Sequence, residues 1–137
     1  MTPGARLIDL PGYGYAAGPK AERAAWAPLI EALAPRRSLR GMLLVVDARR
    51  GILPTDRQLV DWAHGIECPV HVLLTKADQL SRSEAQRLLR ETHKHGDAQA
   101  ELFSAQLFSA HTGQGVDEAR AQLDVWLKKE SPGSTGE

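Results

Sequence analysis

Four residues, Thr75-Lys76-Ala77-Asp78, stand directly after an apolar run and carry side chains that can recognise a guanine base. The carboxylate of Asp78 can accept hydrogen bonds from the N1–H and N2–H groups of guanine, and adenine offers no such pair. Lys76 has an aliphatic stem long enough to lie over the flat base while its ammonium group stays in polar surroundings. The segment therefore predicts a guanine contact, although the same residues also fit a turn that caps the next helix.

A second candidate binding segment, Phe108-Ser109-Ala110, precedes a loop that contains two glycines. The backbone N–H of Ala110 could donate a hydrogen bond to the O6 acceptor of guanine. The sequence Leu-Phe-Ser-Ala occurs twice, at 102–105 and at 107–110, so an assignment five residues upstream is the alternative. We assign the second copy because it alone is followed by a glycine-bearing loop and an amphipathic stretch.

A third segment, Asp9-Leu10-Pro11-Gly12, has residue types that suit the phosphate end of a nucleotide. A carboxylate such as Asp9 can hold a water molecule on Mg²⁺, since this hard cation prefers oxygen ligands and keeps much of its hydration. Gly12 can bring its backbone N–H close to a terminal phosphate because it lacks a Cβ. We therefore predict GTP or GDP and Mg²⁺ as ligands, with Asp9 contacting the metal through water. An aspartate at a strand-to-turn junction is also a common structural feature.

Apolar runs and amphipathic stretches alternate along the chain, which predicts an α/β fold built on a parallel sheet. The run from Met42 to Asp47 is apolar without alternation, as expected of a strand covered on both faces. Thr55 is predicted to cap a helix, and Ser81 with Glu84 has the spacing of a capping box. Because ligands bind beyond the carboxyl ends of parallel strands, the three segments should meet at one edge of the sheet. The predicted strands are 6–9, 42–47, 70–74 and roughly 106–109, with a glycine-rich turn over 11–18; the predicted helices are 20–33, a stretch from Thr55 through Ile66, a stretch from Ser81 through Leu89, and 116–127.

The composition indicates one compact domain, because 137 residues with 42% hydrophobic side chains suit a single core. Seventeen acidic and seventeen basic side chains give a net charge of zero, so the chain has no global field to attract nucleic acid. Arginines such as Arg49 and Arg50 could form a local RNA contact, with a solvated charged surface as the alternative. No apolar run is long enough to span a bilayer, and Cys68 is the single cysteine. We expect a domain over 1–129, a disordered tail over 130–137, a cytoplasmic location, and neither a membrane nor a DNA partner.

The run from Arg6 to Ala16, with its Gly-Tyr-Gly-Tyr-Ala sequence, closely resembles the Asp-x-x-Gly segment of the EngB (also YihA or YsxC) family of bacterial ribosome-biogenesis GTP-binding proteins. The threonine at position 75, where most GTPases have asparagine, is also typical of this family. The resemblance covers about residues 6–128 and continues through Trp26, Val46-Asp47, Asp56, Trp62-Ala63, 73–78, Phe108-Ser109 and Gly115-Val116.

This resemblance implies a three-layer, P-loop GTPase-like fold of the TRAFAC type that binds GTP and Mg²⁺ and hydrolyses GTP. It assigns Asp9, Leu10, Pro11 and Gly12 to the phosphate–Mg²⁺ switch. It assigns 75–78 to guanine recognition and Phe108, Ser109 and Ala110 to the base-sensing loop. It also implies a role in assembling the large ribosomal subunit and an association with septation and cell division.

The chain departs from the family in one respect: it contains no Gly-x-x-x-x-Gly-Lys-Ser/Thr phosphate loop. The resemblance therefore predicts an N-terminally truncated G domain without the first strand, the phosphate loop and switch I, which binds nucleotide weakly and is inactive alone. We assign no catalytic residue, since Tyr13 stands where many GTPases carry a glutamine that orients water. The alternatives are a ribosome- or partner-binding remnant that needs no nucleotide, and an unrelated flavodoxin-like α/β module.

Overall fold

The computed structural model describes residues 39–128 together with Pro28 and Ala32, both of which have helical backbone. These two residues fall within the helix predicted over 20–33, and the rest of that helix lies outside the described residues. The predicted strand over 6–9, the turn over 11–18 and the tail over 130–137 also lie outside them. Among the described helices, none has the length and apolarity needed to cross a membrane.

Three parallel strands form a sheet in the order β1-β2-β3, which confirms the predicted parallel α/β architecture for the described part of the chain. Asp47 at the end of β1 lies opposite Thr75, and Leu74 of β2 lies opposite Leu107 of β3. The carboxyl ends of all three strands therefore meet at one edge. The elements are β1 (Met42–Asp47), α1 (Pro54–Gly65), β2 (Val70–Thr75), α2 (Arg82–His93), β3 (Phe103–Leu107) and α3 (Val116–Lys128), with 3-10 helices at Ala77–Gln79 and Lys94–Leu102.

The core lies between the sheet and α1, where Leu59 and Ala63 are almost fully buried. Burying a leucine of this kind contributes about 1.5–3 kcal/mol. The prediction that β1 is covered on both faces is wrong at Val45, which is 57% exposed. Its neighbours Leu44 and Val46 pack into the core, so β1 has one buried face and, at Val45, one exposed face. The apolar side chains of β2 are buried along its whole length: Val70, Val72, Leu73 and Leu74.

The two predicted helix starts have different outcomes. Ser81 and Glu84 form the predicted capping box, with Ser81 N donating to Glu84 Oε1 at 2.9 Å and Glu84 N donating to Ser81 Oγ at 3.1 Å. The backbone N–H of Ser81 lowers the pKa of Glu84. Thr55, in contrast, is not the cap of α1, because that helix begins at Pro54 with Leu53 as the N-cap residue. Proline suits the first helical position, since its fixed φ and missing N–H carry no penalty there.

The strand predicted over 106–109 is displaced, because β3 runs from Phe103 to Leu107. Phe103 and Ala105 of the first Leu-Phe-Ser-Ala copy are core residues, and the second copy stands at the end of the strand. The chain turns after Leu107, where Ser109 N donates to Gln114 O at 3.0 Å and Gly113 N donates to Ser109 O at 2.8 Å. The predicted last helix is confirmed, with Ala119 and Trp126 buried.

Candidate functional site

The turn after β2 is fixed by bonds to both neighbouring strands. Thr75 Oγ1 donates to Val46 O at 3.1 Å, which ties the turn to the end of β1. Ala77 N donates to Phe108 O at 3.1 Å, which ties it to the chain beyond β3. Between these anchors, Lys76 has a left-handed backbone with φ of 62°, a conformation that non-glycine residues seldom adopt. The backbone conformation of the predicted guanine segment is therefore held by hydrogen bonds on both sides.

The predicted carboxylate and the predicted base-sensing loop are in direct contact. The Ser109 hydroxyl donates to Asp78 Oδ1 at 2.7 Å and accepts a hydrogen bond from Thr112 N at 3.1 Å. Ser109 is completely buried, whereas Asp78 is exposed at the mouth of the site. The hydroxyl group thus holds one carboxylate oxygen while the Asp78 side chain remains exposed at the cavity.

An open cavity of about 510 Å³ lies at this edge of the sheet, within the range of small-molecule sites. Two of the lining residues, Gln79 and His111, were not singled out by sequence reasoning, although each directly follows a predicted segment. Ala77 and Ser109 are buried and are not among the lining residues. The residues that line it are Thr75, Lys76, Asp78, Gln79, Phe108, Ala110 and His111.

A buried polar network supports the second loop from within the sheet. Gln106 Nε2 donates to Leu107 O at 3.0 Å and to Gly115 O at 2.8 Å, so its Oε1 faces His71 Nε2 at 2.8 Å. The imidazole must therefore donate at Nε2, and in the neutral ring Nδ1 accepts from Ser104 Oγ at 2.6 Å. A Cβ at Gly115 would lie 2.3 Å from Leu107 O, and the φ of this residue is +82°. The loop can close against Gln106 because this position is glycine.

Asp47, at the end of β1, places a second carboxylate beside Lys76, which lines the cavity. Arg49 donates to it three times: from N to Oδ1 at 2.9 Å, from Nε to Oδ1 at 3.1 Å and from Nη2 to Oδ2 at 2.8 Å. Lys76 Nζ lies 3.6 Å from the same Oδ2. The side-chain hydrogen bonds from Arg49 hold the pKa of Asp47 well below its usual range. Asp47 is therefore a carboxylate at neutral pH and attracts the lysine.

The predicted phosphate segment Asp9-Leu10-Pro11-Gly12 lies outside the described residues, and with it the predicted metal contact of Asp9. Within the part of the chain that the structure describes, there is no group of three or more His, Cys, Asp or Glu side chains placed to hold a metal ion. Cys68, the single cysteine, is 4% exposed, and burial raises the pKa of its thiol to about 11.

The described part of the chain is an α/β fold with a parallel sheet, and the loops after β2 and β3 contact each other at one edge of it. The family described as "Elongation factor Tu GTP binding domain" matches residues 30–129. Among solved structures, the chain is similar to translation elongation factor SelB from Methanococcus maripaludis in its apo form. That likeness has a TM-score of 0.63 and 26% identity, covering 77% of this chain and 24% of that one.

Comparison with curated sequence relatives identifies a more specific family within this class of protein. The chain is 44% identical over 140 residues to the probable GTP-binding protein EngB of Paraburkholderia xenovorans, covering 97% of this chain and 64% of the relative. It is 40% identical over 126 residues to the probable GTP-binding protein EngB of Coxiella burnetii, covering 91% of this chain and 62% of the relative. The fold also matches the crystal structure of a probable GTP-binding protein engB, with a TM-score of 0.64 and 18% identity, over 90% of this chain and 78% of that one.

This chain belongs to the EngB family of P-loop GTPases. The resemblance predicted from the sequence is confirmed, and the alternative of an unrelated flavodoxin-like module is wrong. The chain spans 62% to 64% of the length of these two relatives.

Proposed function

We propose that this chain binds guanine nucleotides and that the described cavity holds the base. The observation that supports this proposal is the contact between Asp78 and Ser109, because it brings two separate strand-end loops together at one open cavity. In this arrangement Asp78 accepts the N1–H and N2–H groups of guanine. The backbone N–H of Ala110 donates a hydrogen bond to O6 of guanine, and the aliphatic stem of Lys76 covers one face of the ring.

Discrimination against adenine follows from the chemistry of these groups. Adenine presents a bare N1 acceptor and no N2 amino group, so it would leave the Asp78 carboxylate without donors. A site with polar groups built for one base strongly rejects a base that cannot pair with them. Three further residues support the site. Thr75 donates a hydrogen bond to Val46, and Ala77 donates one to Phe108, which joins the two loops. Phe108 also forms part of the cavity wall.

The phosphate end of the nucleotide belongs to the same proposal but rests on sequence alone. Asp9 is proposed to hold Mg²⁺ through water, and the segment through Gly12 to contact the terminal phosphate. The chain contains no Gly-x-x-x-x-Gly-Lys-Ser/Thr motif, whose backbone and lysine hold the phosphates in related proteins. Losing several charge-assisted bonds at ~1.5–3 kcal/mol each weakens binding by ~1,000-fold or more. We therefore expect weak GTP binding and no turnover by this chain alone.

The wider cellular role is proposed from the family resemblance. It comprises a contribution to assembly of the large ribosomal subunit and a link to septation and cell division. The competing proposal is a ribosome- or partner-binding protein that needs no nucleotide.

The proposed function is tested by NMR titration of the 137-residue chain with GDP, with GTP and with ADP. We expect saturation by GDP only at high micromolar to millimolar concentration, and a clear preference for GDP over ADP. In Asp78→Ala, both the binding of GDP and the preference for GDP over ADP should be lost. Asp124→Ala, at an exposed position on α3, is the matched control and should bind as wild type does. Equal affinity for GDP and ADP would contradict guanine recognition, and micromolar or tighter GTP affinity would contradict the expected weakness.

Co-sedimentation with large ribosomal subunits separates the two roles. If the chain acts as a nucleotide-dependent partner, GDP or GTP changes the amount that sediments and Asp78→Ala removes that change. If it is a remnant that needs no nucleotide, it sediments equally with and without nucleotide, and Asp78→Ala leaves this binding unaltered.

A further inference from the structure

The contact between Asp47 and Lys76 links the end of β1 to the guanine segment at the end of β2. Asp47 and Lys76 are close because Asp47 lies opposite Thr75, the residue before Lys76, in the parallel register of β1 and β2. Lys76 Nζ lies 3.6 Å from Asp47 Oδ2, with the two side chains 52% and 21% exposed. Lys76 also lines the cavity, so one side chain takes part in both the ion pair and the cavity wall.

A lysine stem covers a base well only if its conformation is restricted. The side chain carries four rotatable bonds and loses about 1.5–2 kcal/mol of rotamer freedom when it is held, so a free stem binds a flat ring poorly. The backbone of Lys76 is already fixed by the bonds of its neighbours Thr75 and Ala77. An attraction at the far end of the stem supplies the second fixed point.

Asp47 is suited to this task because it is itself held in place. Arg49 donates to both of its carboxylate oxygens, which restricts the orientation of the carboxylate, and Oδ2 lies 3.6 Å from Lys76 Nζ. A loosely held aspartate would follow the lysine into solvent instead of anchoring it.

We propose that Asp47 is a positioning residue for nucleotide binding, which acts by holding the Lys76 ammonium so that the lysine stem stays along the cavity wall. This inference rests on the proposed function of the cavity. Asp47 touches no part of the ligand in this account, and its effect is transmitted through Lys76.

The competing explanation is that Asp47 only shapes the turn after β1. Its Oδ1 accepts the backbone N–H of Arg49 at 2.9 Å, and its carbonyl accepts Arg50 N at 2.9 Å and Gly51 N at 3.0 Å. Asp47→Asn separates the two roles. An asparagine keeps a side-chain carbonyl that can accept from Arg49 N but lacks the negative charge that attracts Lys76.

The test is a double-mutant cycle on GDP affinity, with wild type, Asp47→Asn, Lys76→Met and the double variant titrated by NMR at low ionic strength. Exposed ion pairs are modest, so Asp47→Asn should weaken GDP binding about two- to fivefold. The double variant should bind no more weakly than Lys76→Met, since Asp47 has nothing left to act on. Raising the salt concentration should weaken wild-type binding more than that of Asp47→Asn. Asp124→Asn is the control for loss of an exposed carboxylate and should match wild type.

Four outcomes would contradict the proposals. Unchanged affinity in Asp47→Asn, or independent effects of the two substitutions that multiply in the double variant, would overturn the positioning role while GDP preference still supports the proposed function. A loss of affinity that simply follows a loss of folding stability in the denaturation curve of Asp47→Asn would also overturn it. A wild-type chain with no preference for GDP over ADP would overturn both proposals together.

Discussion

The two copies of Leu-Phe-Ser-Ala, at 102–105 and 107–110, place the same side chains in two different environments only five residues apart. In the first copy, Phe103 is buried in the core and Ser104 bonds to His71 within the sheet. In the second copy, Phe108 lines the cavity and Ser109 bonds to Asp78 beyond the sheet. Residue type is therefore a poor guide to role here. Position relative to the end of the strand decides whether a residue supports the core or the site.

The phenylalanine pair gives the largest expected contrast. Phe103→Ala should lower the free energy of unfolding by ~3–5 kcal/mol, since the ring is 9% exposed and packs edge-on to His64. Phe108→Ala should lower it by only about 1 kcal/mol, because the ring is half-buried at the cavity, and should weaken GDP binding about fivefold. Urea denaturation and GDP titration measure the two quantities. Equal losses of stability in the two variants would break the comparison.

The serine pair sharpens the same contrast at smaller scale. Ser104→Ala should cost about 1–3 kcal/mol of stability by leaving His71 Nδ1 without its hydrogen bond, with little change in GDP affinity. Ser109→Ala should weaken GDP binding about tenfold, since the hydroxyl that orients Asp78 is lost. The check is the ratio of the two affinities at a temperature where both variants are folded. Similar affinities for both variants would show that the second copy has no special role in the site.

The parts of the structure that sequence reasoning predicted well are local or periodic. The strand from Met42 to Asp47 was predicted with its observed bounds, because an unbroken apolar run between turn residues has few other solutions. The capping box at Ser81 was predicted because its two hydrogen bonds join residues only three apart. The meeting of Asp78 with the Ser109 loop was predicted because parallel strands bring their carboxyl ends to one edge.

The parts that were missed depend on contacts between residues distant in sequence. Val45 was predicted to be covered, but its exposure depends on what packs over β1 and not on its own apolar character. The bounds of β3 were displaced because the repeated tetrapeptide offers two similar starts, and the core selects Phe103. The pairs Asp47–Lys76 and His71–Gln106 span 29 and 35 residues and carry no local pattern that would reveal them.

The central claim is that the Asp78 carboxylate recognises the guanine base. Its most direct test is the base specificity of Asp78→Asn, measured by titration with GDP and with xanthosine diphosphate. An asparagine amide can accept the N1–H of xanthine and donate to its O2, whereas the wild-type carboxylate would repel that oxygen. If the Asp78 carboxylate reads the base, the variant should lose GDP affinity by at least about tenfold and bind xanthosine diphosphate more tightly than GDP. If the variant keeps the wild-type order of affinities, the carboxylate does not contact the base, and the guanine site does not lie at this edge of the sheet.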